Sequence, residues 1–341
     1  MKLLLIGFGV VGQGLAEILQ NKSAQLEQEQ GFAATIVGVV TGSKGSLFHA
    51  DGLDIADLLA AAQSGSLAEY PEVSGLRRGW SASEMIAAGG ADVLVEVSPT
   101  NLETAQPALS ICHQALEAGL HLVLANKGPV ALDYANLRAK AQAKGLRLRY
   151  EATVMAGTPT MQLAEEALAG CEIRSARGIL NGTTNYMLTQ MEDGMSYAEA
   201  LAQAQALGYA ETDPSGDVEG WDAAGKVLIL ANALFGSSLT MADLDVSGIT
   251  RISAADMAAA RSAGERYKLL AQATPTGGSV KALRLPLIDP LASVAGAANA
   301  ITLETDLLGD VTLIGAGAGQ LETGSAILSD LLAIQRMACP M

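Results

Sequence analysis

The sequence predicts an α/β protein in which a doubly wound parallel sheet is followed by a second, α+β domain. The chain opens with a strand, a glycine-rich turn, a helix and another strand, which is the order of a βαβ unit. Short apolar runs then alternate with helical patterns as far as residue 145, as expected for a parallel sheet. The length of 341 residues also exceeds what one hydrophobic core usually organises.

The elements of the first domain follow from apolar patterning. Residues 3–6 form a wholly apolar run bounded by glycine, which predicts a strand buried on both faces. Apolar residues recur at helical spacing over 10–19, and 34–40 is a second apolar strand. The remaining predictions are strands at 92–97 and 120–125, helices at 105–118 and 133–143, and an irregular excursion at 42–80 with one helical patch at 55–62.

The second domain grows out of the first without a linker. The predicted domains are 1–145 and 146–315, and the chain from 316 to 341 is expected to pack back on the first domain. A strongly apolar helix is predicted at 225–235 and a last helix at 324–336. The predicted strands of this half are 147–154, 173–180, 279–285, 300–305 and 311–314.

Composition excludes several classes of protein. Lys and Arg number 21 and Asp and Glu 36, for a net charge of −15, which argues against general affinity for nucleic acid or anionic membranes. The three cysteines and three histidines are scattered, which disfavours a zinc site and a Ser-His-Asp triad. No apolar run is long enough for a membrane span, and glycines interrupt the apolar N-terminus. We therefore expect a cytoplasmic protein.

The first turn matches the dinucleotide-binding pattern G-x-G-x-x-G. Glycines at its three fixed positions allow a tight turn, close approach of a pyrophosphate and close packing of the helix on the strand. The following helix offers free N–H groups and the positive end of its dipole. The pattern also follows the first strand and opens a helix, as the motif requires. A Rossmann-type site is therefore predicted at Gly7, Phe8, Gly9, Val10, Val11 and Gly12.

The end of the second strand indicates which dinucleotide binds. An NAD site usually places a carboxylate there for the ribose hydroxyls. Here Thr41 and Lys44 follow Val40 without a carboxylate, and a hydroxyl with a lysine tolerates a 2′-phosphate. NADP(H) is therefore the favoured cofactor and NAD(H) a possible one. The alternative is that Lys44 is a solvated loop charge.

An acidic segment, residues 208–226, is the most informative part of the second domain. It carries five carboxylates on a loop rich in glycine, where binding groups concentrate. Asp222 and Lys226 share one helical face, which is also a common surface pair. However, the residues after Lys226 are apolar, so this lysine enters a buried helix and needs a partner or a task. Carboxylates suit an amino group on a substrate, and a lysine suits proton transfer to a carbonyl oxygen.

The segment resembles the signature of homoserine dehydrogenase, and further stretches agree with that family in order along the chain. They are 7–12, 98–100, 125–127, 151–154, 177–186 and 315–319. The resemblance is to a short form without an ACT or aspartokinase domain. It implies interconversion of L-aspartate 4-semialdehyde and L-homoserine in threonine and methionine biosynthesis, with a nicotinamide cofactor, and it implies a homodimer.

The resemblance also implies roles for individual residues. Lys226 would be the acid that protonates the aldehyde oxygen, and Lys127 would lie near the nicotinamide and the reacting oxygen. Substrate-binding residues would be Asp222, Glu211, Asp217, Asn181 and Thr183. Further cofactor contacts would be Ser98, Thr100, Lys127, Gly208, Glu211 and Gly319. A monovalent cation, sodium or potassium, would lie at Glu151, Val154, Ala156 and Thr158.

Two other interpretations remain open. The chain resembles an enzyme, but glycine-rich turns also occur in catalytically silent NADP-binding or sensing proteins. Another semialdehyde dehydrogenase would need a nucleophilic cysteine. Cys112 lies in a predicted helix, Cys171 has no histidine nearby in sequence, and Cys339 is in the tail, so none is expected to be activated.

Overall fold

The computed structural model describes residues 1–338 and divides the chain into two compact units. The first comprises Met1–Thr153 and the chain from Gly319 onward, and the second is Val154–Ala318. These divisions fall about eight and three residues after the boundaries drawn from the sequence. The strand predicted at 147–154 for the second domain was wrong in its domain, because Leu148–Arg149 pairs with the sheet of the first unit. A parallel-rich sheet organises the first unit and a mixed sheet the second, so the predicted fold class is confirmed.

The first unit is built on a seven-stranded sheet. Its strands are β1 (Lys2–Ile6), β2 (Thr35–Val40), β3 (Ser46–Phe48), β4 (Arg77–Arg78), β5 (Val93–Glu96), β6 (His121–Leu124) and β7 (Leu148–Arg149). The spatial order is β4-β3-β2-β1-β5-β6-β7. β1 pairs in parallel with both β2 and β5. The chain thus runs outward from β1 in one direction and later in the other, which creates a switch point between β1 and β5.

Residues 42–80 are more regular than the sequence indicated. β3 pairs antiparallel with β2, and β4 pairs antiparallel with β3, so the segment extends the sheet rather than leaving it. The prediction of an irregular excursion was wrong here. Strands of three and two residues are too short to show an apolar period.

Six helices belong to the first unit. They are α1 (Val10–Gln30), α2 (Ile55–Gln63), α3 (Ala82–Ala88), α4 (Ala108–Glu117), α5 (Lys127–Ala143) and the last helix, which is α12 in chain order (Gln320–Ala338). α5 begins six residues before the predicted 133, because Asn126 caps it and its helical path is interrupted at Asp133. This start places Lys127 in the first turn of the helix.

Two glycines let α12 lie directly against α1. A β-carbon at Gly14 would come within 2.2 Å of the Gln320 carbonyl oxygen, and one at Gly324 within 2.8 Å of the Leu15 amide nitrogen. These distances leave no room for a side chain at either position. Ile327 and Leu331 of α12 are fully buried in the core that also contains Leu15.

The second unit is built on a six-stranded sheet. Its strands are β8 (Ile173–Ile179), β9 (Leu244–Val246), β10 (Glu265–Thr274), β11 (Gly277–Pro286), β12 (Ala298–Thr305) and β13 (Gly309–Ala316). The order is β13-β12-β8-β10-β11-β9. All neighbours pair antiparallel except β11 and β9. β10 was not predicted.

Helices accompany this second sheet. They are α6 (Thr160–Gln162), α7 (Gly182–Glu192), α8 (Tyr197–Ala206), α9 (Ser215–Val218), α10 (Trp221–Phe235) and α11 (Ala254–Ser262). α10 is buried without a break from Ala223 to Asn232, which explains its apolar sequence. Within the described residues, the helices are either too short or too polar to cross a bilayer.

Candidate active site

The glycine turn forms an open cradle at the end of β1. Gly7 has a φ of +100°, and a β-carbon there would lie 2.7 Å from the carbonyl carbon of Val97. At Gly9 a β-carbon would meet nothing within 4 Å, so the space beside this backbone is free. Gly9 is the N-cap of α1 and makes no side-chain cap, and the first turn has no acidic residue. The helix end is therefore available to an anion.

The ends of β5 and β6 bring Ser98, Thr100 and Lys127 into one hydrogen-bonded cluster. The Lys127 amide donates to Thr100 Oγ1 at 3.3 Å. Asn126 Nδ2 donates to Ser98 Oγ at 3.2 Å, and Ser98 in turn donates its hydroxyl and its amide to Glu96 Oε1. The cofactor-side residues named from the sequence therefore share one scaffold, and Glu96 and Asn126 were missed.

The adenosine end predicted at Thr41 and Lys44 is a self-contained turn. Thr41 Oγ1 donates to the Gly45 carbonyl and accepts from the Lys44 amide, both at 2.8 Å. Lys44 Nζ donates to the Ala62 carbonyl at 2.8 Å. The ammonium therefore lies partly buried against the end of α2 rather than extended into solvent.

The remaining unit-one predictions are Gly319 and Glu151. Gly319 has a φ of +139°, a backbone conformation that favours glycine. Glu151 is buried, and its amide donates to Asp330 Oδ2 at 2.9 Å.

The other predicted cation ligands belong to the second unit. Val154 and Ala156 are buried, Ala156 has a positive φ of 46°, and Thr158 Oγ1 donates to the Ala316 carbonyl at 3.1 Å. Across the described residues, no group of three His, Cys, Asp or Glu side chains is arranged to hold a metal ion.

Lys226 and Asp222 form a partly buried ion pair on α10. Lys226 Nζ lies 2.8 Å from Asp222 Oδ2, and the lysine side chain is only 8% exposed. The ammonium also donates to the Leu180 carbonyl at 2.5 Å, where β8 has just ended. The surface-pair alternative is therefore wrong. A buried ammonium with two fixed acceptors has a defined direction, as proton transfer requires.

Asn181 joins both aspartates of this cluster. Its Nδ2 donates to Asp217 Oδ1 at 2.7 Å and to Asp222 Oδ2 at 3.0 Å. Its Oδ1 accepts from the Thr184 amide at 2.9 Å and so caps α7. Thr183 follows in the first turn of α7, and its hydroxyl donates to the Tyr209 carbonyl at 2.5 Å. Four of the predicted substrate residues therefore lie on the adjoining ends of α7, α9 and α10.

Asp217 has an unusual electrostatic environment. Its pKa is raised chiefly because burial removes water from the carboxyl group, and the charge of Asp222 adds to the effect. The hydrogen bond from Asn181 and the charge of Lys226 oppose the rise in pKa. A group whose pKa is shifted by burial and by specific neighbours is a candidate for a functional role.

Glu211 and Gly208 lie on an exposed loop of the same segment. Gly208 has a φ of +75°, and the main-chain carbonyl of Glu211 accepts from Gln205 Nε2 at 3.0 Å. Within the described chain, the Glu211 carboxylate accepts no hydrogen bond from Asn181 or Lys226. Asp213 Oδ1 accepts from the Ser215 amide at 3.1 Å, and Glu219 accepts from Trp221 Nε1 at 3.1 Å.

The two cysteines within the described residues show no sign of a nucleophilic site. Cys112 is fully buried in α4, and burial together with the nearby Glu96 raises its pKa well above the ordinary value, which is the opposite of thiol activation. Cys171 is half-buried and unpaired in any disulfide. Cys339 lies outside the described residues.

A glycine-lined turn at the switch point of a parallel sheet, and a buried lysine held among carboxylates, define a dinucleotide-dependent oxidoreductase. Comparison with known proteins gives the same class. Residues 7–151 match the NAD-binding domain model of homoserine dehydrogenase, and residues 159–332 match the model of homoserine dehydrogenase itself.

Relatives and solved structures match almost the whole chain. The NAD(+)-dependent homoserine dehydrogenase of Pseudomonas canavaninivorans is 44% identical over 99% of this chain and 97% of its own. The crystal structure of a putative homoserine dehydrogenase from Archaeoglobus fulgidus is 37% identical, with a TM-score of 0.87 over 98% of this chain and 99% of that one. A hyperthermophilic archaeal homoserine dehydrogenase in complex with NADPH is 29% identical, with a TM-score of 0.84 over 99% and 98%.

The chain belongs to the homoserine dehydrogenase family. It is an oxidoreductase that acts on a CH–OH group and carries a nicotinamide-dinucleotide-binding domain.

Proposed function

We propose that the chain interconverts L-aspartate 4-semialdehyde and L-homoserine, with Lys226 as the acid and base. The observation that carries this proposal is the buried Lys226 ammonium, fixed by Asp222 Oδ2 at 2.8 Å and by the Leu180 carbonyl at 2.5 Å. When bound, a reduced nicotinamide supplies the hydride that reaches the aldehyde carbon. Lys226 gives a proton to the aldehyde oxygen as the hydride arrives, and it takes that proton back from the hydroxyl in the reverse direction.

The carboxylates around Lys226 suit the amino-acid end of the substrate. Asp217 and Asp222 both accept from Asn181 Nδ2, which holds their oxygens in fixed positions. A substrate ammonium is attracted to two carboxylates, and one of them, Asp222, also orients Lys226. Asp217, Asp222, Asn181 and Thr183 are therefore proposed as substrate-binding residues, and Glu211 as a further one from the exposed loop.

The glycine turn fits the pyrophosphate of a dinucleotide. Free space at Gly9 and an uncapped α1 N-terminus provide room and donors for an anion. The turn residues Gly7, Phe8, Gly9, Val10, Val11 and Gly12 would hold the pyrophosphate. Ser98, Thr100, Lys127, Gly208, Glu211 and Gly319 are proposed for the nicotinamide end. Lys127 begins α5, and its ammonium is proposed to stabilise negative charge that develops on the reacting oxygen.

NADP(H) is proposed as the favoured cofactor, because no carboxylate follows β2 to repel a 2′-phosphate. NAD(H) is the second candidate, and two observations favour it. Lys44 Nζ is engaged by the Ala62 carbonyl at 2.8 Å, so a phosphate must compete for it. A relative at 44% identity is named NAD(+)-dependent. Binding constants for both cofactors in wild type and Lys44→Ala separate these candidates. If Lys44 contacts a 2′-phosphate, the substitution weakens binding of NADPH and not of NADH.

Three further properties are proposed with the family. A monovalent cation would bind the Glu151, Val154, Ala156 and Thr158 set. A homodimer would form through the second sheet, where Leu283 is 40% and Ile314 is 56% exposed. A cytoplasmic location suits an enzyme of amino-acid biosynthesis. Sedimentation tests the homodimer, and turnover measured with and without potassium tests the cation.

The direct test is a spectrophotometric assay on the purified chain with L-aspartate 4-semialdehyde and either NADPH or NADH. We expect loss of absorbance at the nicotinamide band and formation of homoserine. Blocking the thiols should leave the rate unchanged. Absence of turnover with retained cofactor binding would favour a silent binding protein, and loss of turnover on thiol blocking would favour a cysteine-dependent semialdehyde dehydrogenase.

A further inference from the structure

We propose that Glu96 is a positioning residue that fixes the nicotinamide side of the site by holding Ser98, Asn126 and, through Asn126, Lys127. The inference rests on the proposed roles of Ser98 and Lys127. In this proposal Glu96 contacts neither substrate nor cofactor. It determines the positions of Ser98 and Lys127, which do.

Glu96 occupies the switch point of the sheet. It is the last residue of β5, where it pairs in register with Ile6 of β1 and with Leu124 of β6. β2 lies on the other side of β1, so the two halves of the sheet separate at this position. In doubly wound sheets, ligands bind outside the carboxyl ends of the strands at that place. Glu96 is fully buried there, beneath the loops that the site uses.

One carboxylate oxygen of Glu96 gathers three donors. Oε1 accepts from the Ser98 amide at 2.8 Å, from the Ser98 hydroxyl, and from Asn126 Nδ2 at 3.4 Å. The main-chain carbonyl of Glu96 also accepts from the amides of Ala125 at 2.9 Å and Asn126 at 3.2 Å. Glu96 therefore ties the loop after β5 to the loop after β6 through both side chain and backbone.

Asn126 transmits this constraint to Lys127. Its Nδ2 also donates to Ser98 Oγ at 3.2 Å and to the Pro99 carbonyl at 3.3 Å. Its Oδ1 accepts from the Gly128 amide at 3.0 Å and so starts α5. Lys127 lies between the cap and this bonded amide, and its own amide donates to Thr100 Oγ1 at 3.3 Å. The backbone of Lys127 is therefore held on both sides by groups that Glu96 organises.

A carboxyl group is a costly choice for a merely structural role at this position. Burial raises its pKa, although the bonds from Ser98 and Asn126 oppose the rise. Its second oxygen, Oε2, is buried and accepts no hydrogen bond within the described chain. A buried acid left half-satisfied is destabilising compared with an apolar side chain of similar size. The convergence of donors on Oε1 supplies the reason for an acceptor oxygen at this position, because that oxygen places the two loops.

The test compares Glu96→Gln, Glu96→Leu and Tyr134→Phe. In the first, the amide oxygen keeps the Oε1 acceptor, so the loops stay in place. In the second, the acceptor is lost. Tyr134→Phe is the matched control, because it lies on the same helix as Lys127 and loses a buried hydroxyl pair with Tyr150 at 3.1 Å, and neither tyrosine belongs to the two loops. Urea unfolding, the Kd for NADPH and NADH from nicotinamide fluorescence, and kcat and KM are measured for each.

We expect Glu96→Gln and Tyr134→Phe to bind cofactor with affinities within about threefold of wild type. Glu96→Leu should lose about tenfold or more in cofactor affinity. Its kcat should fall by about 100-fold, which is the scale expected for a misplaced reacting group. Should Glu96→Leu not fold, the double variant Ser98→Ala, Asn126→Ala removes both side-chain donors to Oε1 and leaves only the Ser98 amide, so it must lose cofactor affinity and kcat in the same direction. Equal binding and turnover in wild type and the folded Glu96→Leu, or in the double variant, would overturn the proposal.

Lys127→Ala distinguishes this inference from the proposed function. If Lys127→Ala loses turnover while Glu96→Leu does not, the positioning role alone is wrong. If Lys127→Ala is as active as wild type, the proposed role of Lys127 is wrong, and the Glu96 proposal falls with it.

Discussion

Lys226 Nζ lies 2.8 Å from Asp222 Oδ2, one turn earlier on α10, and the lysine is almost fully buried while the aspartate is 24% exposed. The pair thus has a buried cationic end and a more accessible anionic end. A substrate that approaches the carboxylate meets the ammonium behind it. The Leu180 carbonyl also accepts from Nζ, so two acceptors hold the ammonium in this position.

Replacing Lys226 by alanine should abolish most turnover and leave cofactor binding intact. Acid–base groups contribute roughly 100- to 10,000-fold to rates, so we expect kcat to fall by about 100-fold or more. The Kd for NADPH or NADH should change by less than about threefold. Stopped-flow rates and fluorescence titration measure both. Lys281→Ala is the matched control, because it removes a lysine from an exposed ion pair with Asp245 in the same unit; turnover equal to wild type in Lys226→Ala would refute the assignment.

Asp217→Asn should change the pH dependence of substrate affinity. Burial and Asp222 raise the pKa of Asp217, so the carboxylate that attracts the substrate ammonium is lost earlier as pH falls. As pH falls, KM of wild type should therefore begin to rise at a pH above the usual titration range of an aspartate. In Asp217→Asn, KM should be high at every pH and this acid limb should be absent.

The same substitution should not reduce stability at neutral pH. A carboxyl group whose folded pKa is raised contributes stability below its unfolded pKa and loses it as pH rises through the folded pKa. At pH 7 the ionised Asp217 is therefore a net cost, which asparagine removes while it can still accept from Asn181. Urea unfolding at pH 7 should show a free energy at least equal to wild type; a large loss would mean that Asp217 is structural.

The sequence predicted the first unit better than the second, and the reason is physical. β1, β2, β5 and β6 are buried on both faces, so they read as continuous apolar runs. β10 escaped prediction because its first residues, Glu265 and Arg266, and the buried Lys268 interrupt any apolar alternation. Lys268 lies inside the unit only because Asn185 Oδ1 and the Val294 carbonyl accept from it.

The site was predictable in its residue types but not in its connections. Asp222 and Lys226 are four apart, so their contact follows from helix geometry. Asn181 lies about forty residues earlier, and nothing in its spacing indicates that it bridges Asp217 and Asp222. Glu96 was missed for a similar reason: it ends an apolar strand and carries no motif signal. The pattern that would have indicated Glu96 is a charged residue at the end of a buried strand that neighbours the strand leading into the glycine turn.

Gly9→Ala should weaken dinucleotide binding without weakening the fold. A β-carbon at Gly9 would meet nothing within 4 Å, and its φ of −81° suits alanine. In the proposed complex, however, the pyrophosphate occupies that space. We expect the Kd for either dinucleotide to rise by about tenfold or more, because the second glycine of this motif lets the backbone approach the pyrophosphate, while Tm stays within about 2 °C. Gly170→Ala, which also has open space, is the control; unchanged cofactor affinity in Gly9→Ala would count against the glycine turn as the pyrophosphate site.

Lys268→Met should change how stability depends on alkaline pH. Burial lowers the pKa of Lys268 from 10.5 to about 8; Arg266 adds to the fall and Glu192 opposes it. A base with a lowered folded pKa gives stability that is present above the unfolded pKa and is lost as pH falls through the folded one. The free energy of unfolding of wild type should therefore rise by about 3 kcal/mol relative to that of Lys268→Met between pH 8 and pH 10.5.

Urea unfolding of the two proteins at half-unit intervals from pH 7 to pH 10.5 measures this difference, and other titrating groups cancel because both chains carry them. At pH 7 the sign of the substitution depends on two opposing terms. Methionine removes the cost of a buried charge, but it leaves Asn185 Oδ1 and the Val294 carbonyl without this donor, at about 1–3 kcal/mol for each group left unsatisfied. The pH dependence of the difference in unfolding free energy is not affected by these two opposing terms, because the lysine titrates and the methionine does not. For Lys281→Met, at an exposed position, the curve of unfolding free energy against pH should run parallel to that of wild type across the range. A parallel curve for Lys268→Met as well would mean that the buried ammonium stays charged in the folded chain.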